Sequence, residues 1–244
     1  SILASWPYLA VARLCNSIYL NHADLVYNVY KEGGEMLTLA LPSRGRLAEP
    51  SESLCTAIGI NINYVPRKLV YEIHNYRIVF IHPKDSGKLI DAGVIDMAIS
   101  AQDIQAEYPS SAIELLKLGF APCQIVLAVK NNAECSSAKD LKNQIVASSY
   151  PNLTKSWFSG QGISMTTVEL HGALEMAPWI GFAKGIVDSY QTGISAKAND
   201  LHPISTLLNS QAVLVGQPDV MNRQSARDFV DLLSEGVSRY SKSD

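Results

Sequence analysis

At 244 residues the chain can hold one large domain or two small ones around a substantial core. With 47% hydrophobic and 18% charged residues and a formal net charge of −3, the composition is that of a soluble globular protein. It offers no general attraction for nucleic acid or an anionic membrane, so any phosphate site must be a local cluster of Arg and Lys. Cys15, Cys55, Cys123 and Cys135 form no CxxC pair and have no matching His spacing, which argues against a metal site and for a reduced, cytoplasmic setting. No G-x-S-x-G, G-x-x-x-x-G-K or G-x-G-x-x-G motif is present.

Residues 1–35 carry apolar positions near helical spacing (Tyr8, Val11, Cys15, Ile18, then Leu25 and Val29) and end at Gly33-Gly34. This predicts a helix or helical pair, a packing or oligomer arm or an added segment. No basic cluster precedes it, and Arg13 and Asn16 interrupt it, which disfavours both a signal peptide and a span of about 20 apolar residues.

Leu37–Pro42 has no face reserved for water, as expected of a buried parallel strand. Ser43-Arg44-Gly45-Arg46 follows it, and Ala48–Ile58 reads as a helix. Strand, basic turn and helix suit anion binding at a sheet's carboxyl edge, with Gly45 allowing close approach. Arg67 and Lys68 add a third cationic point. Arg77–Ile81 is a second strand, Pro83–Ala92 a helix stopped by Gly93, and Val94–Ser100 a third strand leading to Asp103. Leu115–Phe120 leads into a fourth buried strand, Gln124–Val129.

The polar stretch Asn131–Asn143 reads as a crossing into a second lobe. There Ile145–Tyr150 is a strand, Pro151–Phe158 a helix, Thr166–Leu170 a strand and Glu175–Phe182 a helix. Gly185-Ile186-Val187 then ends a buried strand at Asp188, ahead of the small polar turn Thr192-Gly193-Ile194-Ser195 and a short helix over Ala196–Asn199. Outward N–H groups, two hydroxyls and Gly193 form a phosphate cradle, while Asp188 beside it makes sense as an acceptor for sugar hydroxyls. Together they suggest a pocket for a phosphorylated ribose; the plain alternative is a strand–turn with Asp188 as its cap. Leu207–Val215 is a last strand, and Ser225–Tyr240 an amphipathic helix with Phe229, Leu232, Leu233 and Val237 on one face. The alternation is that of an α/β protein, with two lobes bringing the Arg44–Arg46 turn to face the Asp188 loop across a cleft.

Six segments in order carry a family resemblance: Leu39–Leu47 (LALPSRGRL), Asp91–Ile99 (DAGVIDMAI), Leu118–Cys123 (LGFAPC), Ser149–Lys155 (SYPNLTK), Leu170–Pro178 (LHGALEMAP) and Asp188–Leu201. Over Met36 to about Gly216 the chain resembles ATP phosphoribosyltransferase, in which N1 of ATP displaces pyrophosphate from C1 of phosphoribosyl pyrophosphate. The resemblance implies a two-lobed type-II periplasmic-binding-protein-like fold with a discontinuous first lobe, drawn at 36–126 and 206–244, around a second at 127–205. It implies the short form of the enzyme, a homo-oligomer that works with a histidyl-tRNA-synthetase-like regulatory subunit, with Mg²⁺ carried by the phosphate substrates.

By the same resemblance Thr192, Gly193, Ile194 and Ser195 bind the 5-phosphate and Asp188 the ribose hydroxyls. Arg46 and Arg67 neutralise pyrophosphate or ATP phosphates, and Arg44, Gly45, Asp103 and Tyr150 complete the substrate-binding set. The chain departs from the family's pattern in carrying Arg44 for Lys, His82-Pro83-Lys84-Asp85 for Arg-x-Arg-Asp, Ser100-Ala101-Gln102-Asp103 for Gly-Thr-Gly-Lys-Asp, Gly193-Ile194-Ser195-Ala196 for Gly-x-Thr-Leu and Asp200 for Gly. Two rival readings are a solute-binding protein of the same fold and a non-catalytic or weakened paralogue. Among single residues, His171 reads as a turn residue, Trp157, Trp179 and Cys123 as core, and Glu175 as a helix-face residue or ion-pair partner.

Overall fold

The computed structural model describes residues 36–191 and 193–240, so the reading of residues 1–35 and of Thr192 lies outside the described residues. The first sheet grows from β1 (Leu37–Pro42), whose apolar side chains on both faces can only be satisfied by cover on both sides. β1 lies parallel to β3 (Tyr76–Ile81) and β4 (Met97–Ala101). The full order is β2–β3–β1–β4–β11–β5, with β2 (Val70–Ile73), β5 (Ile113–Lys117) and β11 (Ala212–Gly216) antiparallel to their neighbours. On one face α1 (Ala48–Ala57) and α7 (Gln224–Tyr240) seal the core, where Leu54, Ile58, Phe229, Leu232 and Leu233 meet Tyr76. Gly236 permits that close packing, because a Cβ there would lie 2.4 Å from Ile58 Cγ2.

The second sheet runs β10–β6–β9–β7–β8. β6 (Cys123–Lys130) is antiparallel to β9 (Gly185–Tyr190) and to β10 (Leu201–Ser210), while β7 (Ile145–Ser148), β8 (Thr166–Glu169) and β9 are mutually parallel across their pairings. Three further helices precede the site loop: α2 (Ser86–Asp91), α3 (Gln102–Glu107) and α4 (Pro151–Gly160). Two short ones, α5 (Met176–Trp179) and α6 (Ile194–Ala198), flank β9.

The chain passes between the sheets twice, at residues 118–122 and at Gln211. The two crossings are stitched to each other: the Leu118 amide donates to Ala212 O at 3.0 Å and the Ala212 amide to Phe120 O at 3.0 Å. Two sequence expectations change here. The boundaries at 126/127 and 205/206 fall inside β6 and β10, both of which pair in the second sheet. The single strand Leu207–Val215 is two strands in different sheets, dividing at Gln211, where the polar run Asn209-Ser210-Gln211 separates the two apolar stretches.

The helix expected over Glu175–Phe182 is one turn only: Pro178 removes an amide and Gly181, at φ +74°, reverses the chain. Trp179 is 49% exposed rather than core, with its Nε1–H donating to Asn199 O at 2.8 Å. Trp157 does pack against the second sheet's core, and Cys123 is buried.

Candidate active site

Two groups of candidate residues form, one where the sheets adjoin and one on the second sheet. The first is centred on Asp103, which follows β4 at the start of α3 and is 1% exposed. Its Oδ1 receives Arg46 Nη2 at 2.5 Å and the Ser210 hydroxyl at 2.5 Å; its Oδ2 receives the Tyr150 hydroxyl at 3.1 Å. The Asp103 amide donates to Ser210 Oγ at 3.0 Å. Arg46 comes from the β1–α1 turn, which Gly45 closes at φ +78°, and its Nε–H also reaches Ala121 O in the first crossing at 3.3 Å.

A carboxylate this deep is tolerable only when paired and fully hydrogen-bonded, and here three other chain segments meet that demand. Burial pushes the Tyr150 hydroxyl far above its usual range, and the Asp103 charge adds to the effect, so the phenol remains a donor. Burial works to lower the Arg46 pKa, but Asp103 together with Cys123 and Tyr150 outweighs it, and the net shift is upward.

The second group surrounds Asp188 in β9. Its Oδ1 accepts the Ser149 hydroxyl at 2.6 Å and the Ser189 amide at 2.7 Å, and among the described residues Oδ2 accepts no hydrogen bond. Burial pushes the Asp188 carboxyl above its ordinary value; the two hydrogen bonds oppose that shift and the neighbouring Glu175 adds to it. A cleft of about 230 Å³ opens here, lined among others by Asp188, Tyr190, Gly193, Ile194 and Ser195.

Gly193 sits at φ +70°, and a Cβ on it would come within 2.1 Å of the Tyr190 hydroxyl, so any side chain there strains the backbone and must displace Tyr190. Ile194 is 71% exposed and Ser195 is exposed. Asp200, which stands where the resembled family has Gly, is held at φ +50°, a conformation Asp tolerates better than most residues, and is exposed.

Of the residues singled out from sequence, the structure therefore joins Arg46, Asp103 and Tyr150, and separately gathers Asp188, Gly193, Ile194 and Ser195. Arg44 and Gly45 are exposed on the β1–α1 turn, with Arg44 helping burial to lower the His82 pKa. Arg67 is exposed in the loop before β2 at φ +66° and belongs to neither group. His171 is an exposed turn residue, within 3.8 Å of Glu169.

Sequence reasoning missed Ser149, Tyr190, Ser210 and Glu107. Glu107 is 1% exposed and ends α3; its carboxylate accepts the Asn152 and Leu153 amides at 3.1 and 2.9 Å, capping α4 from the other sheet's layer. Nothing local marks such a cap, which lies 45 residues from its helix. Ser149 had a usable signal, a small hydroxyl residue directly after a buried strand and beside a singled-out Tyr. Among the described residues no group of three or more His, Cys, Asp or Glu side chains gathers as a metal site, and no helix is long and apolar enough to cross a membrane.

Two sheets joined by paired crossings, with polar residues clustered between and beside them, define a two-lobed type-II periplasmic-binding-protein-like α/β protein. A solved substrate-binding protein of an amino acid ABC transporter shares this fold at a TM-score of 0.54 and 14% identity, over 85% of this chain and 94% of that one. An ATP phosphoribosyl transferase (HisG:HisZ) complex from Thermotoga maritima superposes better, at 0.73 with 24% identity over 84% of this chain and 100% of that one.

The family model described as HisG, ATP phosphoribosyltransferase, matches residues 82–235. Curated ATP phosphoribosyltransferases include one from Methanopyrus kandleri, 32% identical over 79% of this chain and 69% of its own length. One from Campylobacter concisus is 30% identical over 84% of this chain and 100% of its own length. The chain belongs to the ATP phosphoribosyltransferase family, the pentosyltransferases of the first step of histidine biosynthesis.

Proposed function

We propose that the cleft beside Asp188 holds phosphoribosyl pyrophosphate while N1 of ATP attacks its C1. The N1 lone pair forms the new N–C bond, the C1–O bond breaks, and pyrophosphate leaves with the electron pair; N1 carries no proton to remove. Such displacements pass through an oxocarbenium-like state, so the protein's work is positioning and electrostatic stabilisation rather than nucleophilic catalysis.

The observation that carries this reading is the half-buried Asp188 with one oxygen saturated and the other unbonded among the described residues, beside a left-handed turn that glycine makes without strain. Oδ2 accepts the ribose hydroxyls, and Thr192, Gly193, Ile194 and Ser195 cradle the 5-phosphate. Arg44 and Arg67, both exposed, meet the diphosphate or ATP phosphates with their bound Mg²⁺. Arg46, Asp103 and Tyr150 form a separate group at the joint between the sheets, and Arg46 contributes its charge from there with one edge already committed to Asp103. The protein acts in the cytoplasm as a homo-oligomer with a regulatory subunit, in keeping with the HisG:HisZ complex that shares its fold.

The test is phosphoribosyl transfer by the purified chain, alone and with a regulatory subunit, in the presence of ATP, phosphoribosyl pyrophosphate and Mg²⁺. Asp188→Asn keeps the shape but loses charge-assisted bonds to two hydroxyls, which predicts a loss of about 3 kcal/mol or more, a hundredfold or greater in kcat/KM. Folded protein that binds phosphoribosyl pyrophosphate yet never turns over would sink the catalytic reading in favour of a non-catalytic paralogue. Absence of any binding would remove the phosphoribose assignment of the loop.

A further inference from the structure

Ser149 and Tyr150 are consecutive, yet their side chains act on carboxylates of the two different groups. We propose that Ser149 is a positioning residue for Asp188, and that the Ser149–Tyr150 dipeptide ties that carboxylate to the joint between the sheets. The inference rests on the assignment of Asp188 to the ribose hydroxyls given above.

The geometry follows from strand register. β7 and β9 are parallel with Ser148 opposite Val187, so Ser149, the residue after β7, lies beside Asp188 within β9. The Ser149 hydroxyl at 2.6 Å and the Ser189 amide at 2.7 Å hold the same oxygen, Oδ1, which fixes the carboxylate plane and reserves Oδ2. Tyr150 instead donates to Asp103 Oδ2 at 3.1 Å, and Asp103 is clamped by Arg46 of the β1–α1 turn and by Ser210 beside the second crossing.

The link between the two side chains is stiff. Ser148 Oγ accepts the Tyr150 amide at 2.8 Å, contacts Thr154 Oγ1 at 2.9 Å and donates to Val187 O at 3.1 Å. A shift of the first sheet against the second therefore reaches Asp188 through two residues. The charged group acting on Asp188 is Glu175, at the start of α5; β7 and β9 present the neutral Ser149 hydroxyl and Ser189 amide, and β6 presents Val126 opposite. A hydrogen bond to the ionised form favours that form, so deleting it moves protonation of Asp188 to higher pH.

The experiment measures kcat and KM for both substrates across acidic to neutral pH in wild type, Ser149→Ala, Ser149→Thr, Tyr150→Phe and the Ser149→Ala/Tyr150→Phe double variant. Asp188→Asn is the reference. Ser149→Ala is expected to raise the KM for phosphoribosyl pyrophosphate about tenfold, leave that for ATP unchanged, and move the acidic limb of kcat/KM upward by about one pH unit. Ser149→Thr, which keeps the hydroxyl, restores both. Tyr150→Phe shifts the same limb in the same direction, and the double variant falls short of the sum of the singles. An unmoved acidic limb in Ser149→Ala, or strict additivity with Tyr150→Phe, overturns the proposal. If Asp188→Asn itself is fully active, the ribose assignment has failed; if Asp188→Asn is inactive and Ser149→Ala behaves as wild type, only this inference has.

Discussion

Asp103 and Asp188 show how surroundings divide the work of two identical side chains. Asp103 is sealed, and both its oxygens are engaged by Arg46, Ser210 and Tyr150, so it holds structure together. Asp188 is half-buried with one oxygen in reserve, the condition for a group that must accept a ligand's hydroxyls. Gly193 is fixed by two independent demands, a left-handed backbone and the Tyr190 hydroxyl where a Cβ would be. Gly193→Ala should therefore cost about 1–2 kcal/mol from the backbone alone, with further loss as Tyr190 is displaced. Thermal melts would report that cost, and the KM for phosphoribosyl pyrophosphate should rise by more than the lost stability explains. An unchanged KM would mean that the turn's shape does not matter to the substrate.

Helix α4 opens with Pro151, which suits a first turn but leaves the following amides in need of acceptors. Glu107 supplies them from the end of α3, and the Asn152 side chain returns a bond to Glu107 O at 3.0 Å, so one helix end is built across the joint between the sheets. Burial pushes the Glu107 carboxyl above its ordinary value, and the two amide bonds only partly oppose it. A carboxyl whose pKa is raised by folding stabilises the fold most when protonated, and that contribution is lost as pH rises through the folded value. The stability of wild type relative to Glu107→Gln should therefore fall as pH rises through the carboxylate range, as read from urea melts between acidic and neutral pH. A difference that grows with pH would show that the helix-capping bonds outweigh burial.

Across the whole molecule no buried apolar cluster among the described residues is shared by the two sheets; Leu118 and Phe120 of the first crossing belong to the first sheet's core, and the side chains that bridge the layers in the Asp103 group and the Glu107 cap are polar. Polar joints of this kind let two layers shift with little loss of apolar burial, which suits a cleft that must admit substrates and shed water. A ligand bound across such a joint stabilises the folded state by mass action. Phosphoribosyl pyrophosphate at about a hundredfold over its Kd contributes ~2.7 kcal/mol, or roughly 5–10 °C in Tm for a chain of this size. Asp188→Asn should abolish the shift; a shift retained in that variant would place the ligand elsewhere.

Much of this protein is legible in local sequence because strands and helices declare themselves through nearest-neighbour chemistry. Leu37–Pro42 reads as a buried strand because no face of it is reserved for water, the strand read at Val94–Ser100 is found at Met97–Ala101, and α7 follows from its 3.6-residue stripe through Phe229, Leu232 and Leu233. The Asp188–Ser195 loop was visible because a carboxylate, hydroxyls and a glycine stand close together in the chain. Tertiary structure alone decided which layer each strand joined: the polar run Asn209-Ser210-Gln211 interrupts Leu207–Val215, but local pattern does not say that the two halves belong to different sheets. It also decided which charges pair, setting Arg46 on Asp103 57 residues away and Glu107 on a helix that starts in the other layer. Local pattern records which groups a residue carries; whether a given carboxylate is sealed or left with an oxygen for substrate depends on partners brought together only when the sheets meet.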